Sequence, residues 1–162
     1  MRTPDHVLIA WLAQSADDAD RATTHLIEGG KAMLQLGHIF SAVRMPGQLV
    51  HGALGAELEH DVREELAERL DGAVALDPRG TGESRYYALI PPLAALTWDM
   101  ADVAPALGRD TYLSTPAPYR LTPPGPHWAA PLRRENDFCR PAAVRSLLED
   151  GLQALRRRQA AC

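Results

Sequence analysis

Cysteine is almost missing from this chain: Cys139 and Cys162 are the only two in 162 residues. Two are too few for a disulfide framework, so a reducing, cytoplasmic setting is the expectation. Lysine is scarcer still, since every basic residue but Lys31 is arginine. Aromatics make up 6%, so any stacking surface must be built from few rings. No apolar run reaches the ~18 residues that cross a bilayer. The start, Met1-Arg2-Thr3-Pro4-Asp5-His6, lacks the apolar stretch and cleavage site of a secretory signal. Repeats and low-complexity tracts are absent, which excludes solenoids and fibrous or disordered classes.

Apolar residues at 46% and charged residues at 23% are the balance of a globule. A chain of this length can bury roughly two-thirds of its unfolded surface, and residues 1–162 read as a single domain. The formal net charge is −4 but is unevenly placed. Residues 1–108 hold 8 basic and 16 acidic side chains, whereas residues 109–162 hold 9 basic and 5 acidic. Two readings stand: an arginine-rich composition bias, or an acidic body whose basic end meets an anion. Thirteen prolines, crowded between Pro91 and Pro131, mark extended pieces and turns.

Thr3-Pro4-Asp5 reads as a helix start, with Thr3 as N-cap and Pro4 at the first helical position. Leu8, Trp11 and Leu12 then share a face. Ser15 to Asp18 resembles a second start, whose helix Gly29-Gly30 ends. Ile39 to Met45 reads as a strand that Pro46 stops. Leu54, Leu58, Val62, Leu66 and Leu70 recur every four residues, which predicts one long helix from about Gln48 to Leu70. Ala73–Leu76 and Arg85–Ile90 predict a hairpin across a loop holding Pro78, Gly80 and Gly82. Thr97-Trp98 is a small strand candidate. Thr111–Thr115 and His127–Ala130 are two further strands joined by a proline-rich turn. Pro141 opens a last helix with Val144, Leu147, Leu148, Leu152 and Leu155 as its apolar side. This order is an α+β pattern: a mainly antiparallel sheet with helices packed on one face of it.

Glu57 and His60, with Asp61 adjacent and His51 behind, could ligate metal on a helix. That architecture needs the same motif from a second helix, so a solvated helix face is the reading and no metal is expected. The loop Asp77-Pro78-Arg79-Gly80-Thr81-Gly82 is glycine-rich, but a phosphate cradle of the P-loop type needs a helix next. A strand follows instead, which makes it a hairpin loop. No Gly-x-Ser-x-Gly elbow is present. Cys139 precedes a helix N-terminus, which can lower a thiol pKa; a packing thiol is the plainer reading. Arg156-Arg157-Arg158 complements a helix C-terminus.

Three stretches carry a resemblance. The first is the strand Phe40-x-Ala42-Val43-Arg44-x-Pro46, followed by helix. The second runs from Asp77 through the glycine loop into Arg85-Tyr86-Tyr87 and closes at Pro91. The third is Leu107 to Pro116 with Pro124-Gly125-Pro126-His127-Trp128. Together, over about residues 38–150, they resemble the N-terminal domain of bifunctional DNA primase/polymerases of the archaeo-eukaryotic primase superfamily. They resemble more closely small stand-alone relatives from high-GC bacteria. The resemblance implies a core like an RNA-recognition motif over residues 37–162, preceded by N-terminal helices in residues 1–36. In the active family two carboxylates end the first strand and bind metal, a histidine after the glycine loop binds nucleotide phosphates, and a later acid completes the site. Phosphoryl transfer needs such groups, because divalent metal must neutralise charge on the phosphate oxygens.

Here no acidic residue lies between His38 and Ala56. Arg44 stands where a carboxylate would be, Ser84 falls at the histidine position, and Asp102 and Asp110 are out of register with the third. The expectation is therefore a non-catalytic primase-like module, without metal or other cofactor, that binds a nucleotide, a nucleic acid or a regulatory protein. Arg44 and Arg85 are candidates to hold phosphate, and Tyr87, Tyr112 and Trp128 to stack a base. Arg109 and His127 complete the candidate set, and strand alternation puts Arg85 and Tyr87 on one side. Two rivals stand: an enzyme with a site rebuilt from Asp77, Glu83, Asp99 and His127, and an oligomeric scaffold contacting its partner through the N-terminal helices or the arginine-ended last helix.

Overall fold

The computed structural model of the protein describes residues 3–55, 62–79 and 83–161. Helix α1 spans Thr3–Ala13, so Thr3 is the first helical residue rather than a cap. Helix α2 spans Ala19–Thr24 and is capped by Asp18, whose carboxylate accepts the Arg21 N–H. The cap is thus Asp18 and not Ser15, whose buried hydroxyl has no hydrogen-bond partner among the described residues. A π-helical turn, His25–Gly29, follows and ends on Gly30 in the left-handed region.

Strand β1, Lys31–Gln35, was not expected: Met33 interrupts its polar–apolar alternation, yet the backbone alternates exposed and buried. Strand β2 is Ser41–Pro46, and α3, Gly47–Leu54, starts directly after it. The single long helix predicted to Leu70 is two helices. Gly55 at φ +65° ends α3, and α4 begins anew at Arg63 and runs to Leu70. The four-residue leucine spacing carries across the break because apolar positions of separate helices can face one core. Glu57, Leu58, His60 and Asp61 lie outside the described residues.

Strands β3, Val74–Asp77, and β4, Arg85–Ile90, form the expected hairpin. Thr97-Trp98 is no strand. A short helix α5, Pro92–Leu96, precedes it, and the Trp98 indole donates to the Ala104 carbonyl. The edge strand here is instead β5, Ala106–Leu107. Strands β6, Tyr112–Pro116, and β7, His127–Ala130, fall in different sheets, and α6 spans Pro141–Ala161.

The main sheet has the order β5-β2-β4-β3-β7, with every pair antiparallel. From β2 to β5 the chain reads β-α-α-β-β-α-β, and β4 is inserted between β2 and β3, which is a split β-α-β arrangement. A separate antiparallel ribbon pairs β1 with β6.

Alternation along the strands divides the core in two. Val43, Met45, Tyr86, Ala88 and Ile90 face α3, α4 and α6. Ala42, Ala75, Tyr87, Leu89 and Trp128 face the opposite way, against Leu8, Trp11, Leu12 and Leu26 and the ribbon's Leu34 and Leu113. Helices therefore cover both faces of the sheet, not one. The composition of β4 agrees: Tyr86 to Ile90 is apolar and buried at every position, which suits a sheet covered on both faces.

Candidate anion-binding cleft

The cleft forms where the ladder between β2 and β4 ends. Arg44 lies opposite Tyr87, and Pro46 opposite Arg85. Residues opposite one another share a face and residues two apart share it too. Arg44 and Arg85 are therefore diagonal neighbours, with backbones about 7–8 Å apart. A cavity of about 340 Å³ opens there, lined by Arg44, Arg79, Arg85 and Glu83, with Pro46, Val103 and Pro105 as apolar walls.

Local chemistry sets this geometry. Pro46 stops the ladder and starts α3. The Gly47 N–H donates to the Ser84 carbonyl at 2.8 Å, and a side chain at position 47 would sit 2.7 Å from that oxygen. The Gln48 N–H donates to Glu83 Oε1 at 2.9 Å, so the Glu83 carboxylate satisfies a free amide in the first turn of α3. The Arg44 N–H donates to the Pro105 carbonyl at 3.0 Å and ties the cleft's far wall to β2. Arg79 Nε approaches Asp77 Oδ2 at 3.4 Å. Neither Arg44 nor Arg85 has an ion-pair partner among the described residues. Three guanidiniums against the carboxylate of Glu83, with Asp77 on Arg79, give the cleft a surplus of positive charge and forked donors that match phosphate oxygens.

The other expected site residues go elsewhere. Tyr87 is buried in the core against the N-terminal helices. Trp128 is wholly buried and its indole N–H donates to the Ala117 carbonyl. Neither ring can stack on a base, because the sheet face that carries them is covered. His127 is buried too, with Nδ1 2.9 Å from the Gly125 carbonyl. Arg109 lies at the opposite end of β2, against Gly37. Tyr112 is 53% exposed, but on the outer ribbon. The cleft thus gathers Arg44 and Arg85 out of seven and adds Arg79 and Glu83. The hairpin register could have found these two, since Asp77 pairs Arg85 and the loop between them must open at the same end of the sheet.

The rebuilt-enzyme candidates are each engaged: Asp99 pairs with Arg145 at 2.8 Å, Asp77 with Arg79 at 3.4 Å, Glu83 accepts the Gln48 N–H, and His127 is buried as above. Among the described residues no three His, Cys, Asp or Glu side chains are placed to hold a metal ion. His51 Nε2 lies 2.7 Å from the Tyr86 hydroxyl, with the rings edge to face. Burial, reinforced by the Asp137 charge, pushes the Cys139 thiol up to about 12, and it donates to the Ala73 carbonyl. This is the reverse of activation at a helix start.

A second groove, of about 460 Å³, holds Glu28, Lys31, Tyr119 and Arg120. Its polar groups are largely committed: Tyr119 donates to the carbonyls of Leu26 and Ile27, and Arg120 to that of Pro124. No helix among the described residues is long and apolar enough to cross a membrane. Comparison with protein-family models, curated proteins and solved structures finds no match to this chain.

Proposed function

We propose that the chain is a non-catalytic, primase-like module of the cytoplasm that binds a nucleotide or nucleic acid through its phosphates at the Arg44–Arg85 cleft. One observation carries the reading: two guanidiniums without ion-pair partners among the described residues meet a third in one cavity at the end of the sheet. The sequence adds its support by putting Arg44 where the resembled polymerases hold a metal-binding carboxylate.

Titration with ATP and with single-stranded DNA at about 50 and 200 mM salt tests it, because phosphate-driven binding weakens steeply with salt. Arg44→Ala and Arg85→Ala are each expected to lower affinity by about tenfold or more, the worth of a charge-assisted hydrogen bond. Absence of binding at the lower salt overturns the proposal, and so does primer extension with manganese.

A protein partner is the second reading. It is favoured by Leu93 and Leu96 of α5, which are 76% and 80% exposed. Light scattering of the wild type and of Leu96→Glu tests whether that pair joins two copies.

A further inference from the structure

The cleft holds one acid among its arginines, and that acid is oriented. Glu83 Oε1 accepts the Gln48 N–H at 2.9 Å, which holds the carboxylate at the cleft wall by one oxygen, and its second oxygen has no hydrogen-bond partner among the described residues. An ionised carboxylate only accepts hydrogen bonds. It repels phosphate and attracts a hydroxyl that can donate. The arginines beside it only donate, and they favour phosphate. A ligand that satisfies both must carry a phosphate and a donating hydroxyl a few bonds apart.

The cavity also sets what it leaves out. At about 340 Å³ it has room for a sugar phosphate, and its apolar walls are Pro46, Val103 and Pro105, with no aromatic ring among them. The rings that could hold a base, Tyr87 and Trp128, are in the core. Resting on the phosphate reading above, we infer that the cleft recognises a ribose phosphate, with Arg44 and Arg85 on the phosphate and Glu83 accepting from a ribose hydroxyl, while the base stays outside. A carboxylate on a ribose hydroxyl is a recurring device of nucleotide sites. The same chemistry is offered by a free ribonucleotide and by an RNA strand.

The test is a titration series on the full chain. ATP and CTP are expected to bind within about threefold of each other. Loss of hydroxyls is expected to weaken binding stepwise from ATP to 2′-deoxy-ATP to 2′,3′-dideoxy-ATP, by about tenfold for each hydroxyl that Glu83 held. Glu83→Gln keeps an oxygen for Gln48 but replaces the second acceptor with a donor. It is expected to abolish the ribose preference while leaving the salt dependence intact, with its thermal midpoint confirming the fold. Tighter binding of an RNA oligomer than of ATP assigns the strand as source; tighter binding of ATP assigns the free nucleotide. Equal affinity for ATP and dideoxy-ATP, or a ribose preference that survives in Glu83→Gln, overturns this inference and leaves the phosphate reading standing. Failure of every one of these probes to bind at low salt overturns the phosphate reading itself.

Discussion

Asp137 is fully buried and serves Arg133 three times: its carboxylate takes the backbone N–H at 2.9 Å, Nε at 3.0 Å and an Nη at 2.9 Å. The Asp137 hydrogen bonds are the main cause that raises the Arg133 pKa above its ordinary value. Asp137→Ala leaves these donors without their acceptor, and urea unfolding is expected to show a loss of about 2–4 kcal/mol. Arg133-Arg134-Glu135-Asn136-Asp137 consists only of charged and polar residues, and nothing in residue type marks the one member that is fully buried. Cys139, two residues on, is the other group whose burial has a measurable consequence. Its folded pKa is raised, so the folded state holds a proton that the unfolded chain releases above about 9. Its contribution to stability is full below that pH and is lost as pH rises toward about 12. The difference in unfolding free energy between wild type and Cys139→Ala should therefore fall by up to about 1.4 kcal/mol per pH unit in that window. In a Cys162→Ser background, the native thiol should resist iodoacetamide at pH 8 and react once the chain is unfolded.

At the level of elements, α3 and α6 touch through glycine. A side chain at Gly151 would stand 2.4 Å from the Leu49 carbonyl oxygen, whereas one at Gly52 would meet the Ala154 methyl at 3.4 Å and the Gly151 carbonyl oxygen at 3.8 Å, both ordinary contacts. Gly151→Ala should cost about 1–3 kcal/mol by forcing the helices apart. Gly52→Ala should be neutral or should stabilise by up to about 1 kcal/mol through helix propensity. Thermal melts of the two variants separate close backbone approach from propensity. The apolar side of α6 was legible from Val144, Leu147 and Leu148, because a long helix with one face on a core repeats every 3.6 residues. The break at Gly55 was not, because the leucine period ran through it while the glycine's left-handed backbone depends on where the chain must turn. The convergence of Arg44 and Arg85 was legible for the same kind of reason as α6: strand alternation is local, and the hairpin brings the strands together.

For the whole molecule, the sheet is a shared wall between two cores. The N-terminal helices and the ribbon of β1 and β6 bury Tyr87 and Trp128 on one side, and α3, α4 and α6 bury Tyr86 and Met45 on the other. Neither side can be removed without exposing the sheet. A chain lacking residues 1–36 is expected to lose its cooperative thermal transition and to bind a hydrophobic dye, whereas the intact chain should unfold in one step by circular dichroism and tryptophan fluorescence alike. A truncated chain that melts cooperatively would show that the split β-α-β core stands without its second cover.

What residue order determined alone was local. Pro46, the apolar periods and the glycine-bearing loop set the strands of the hairpin, the last helix and an α+β class, since each depends on neighbours a few positions away. The absence of carboxylates from the β2 strand is likewise a plain property of the chain. Only the tertiary structure decided which side of the sheet would be open, and it covered both, leaving a cleft where the ladder of β2 and β4 ends. That choice depends on β1, a strand whose own pattern is weak and which exists because β6, about eighty residues later, pairs with it. Burial is decided by what packs on top, and so the aromatic rings expected at a ligand became core while two loop residues, Arg79 and Glu83, joined the arginines at the cleft.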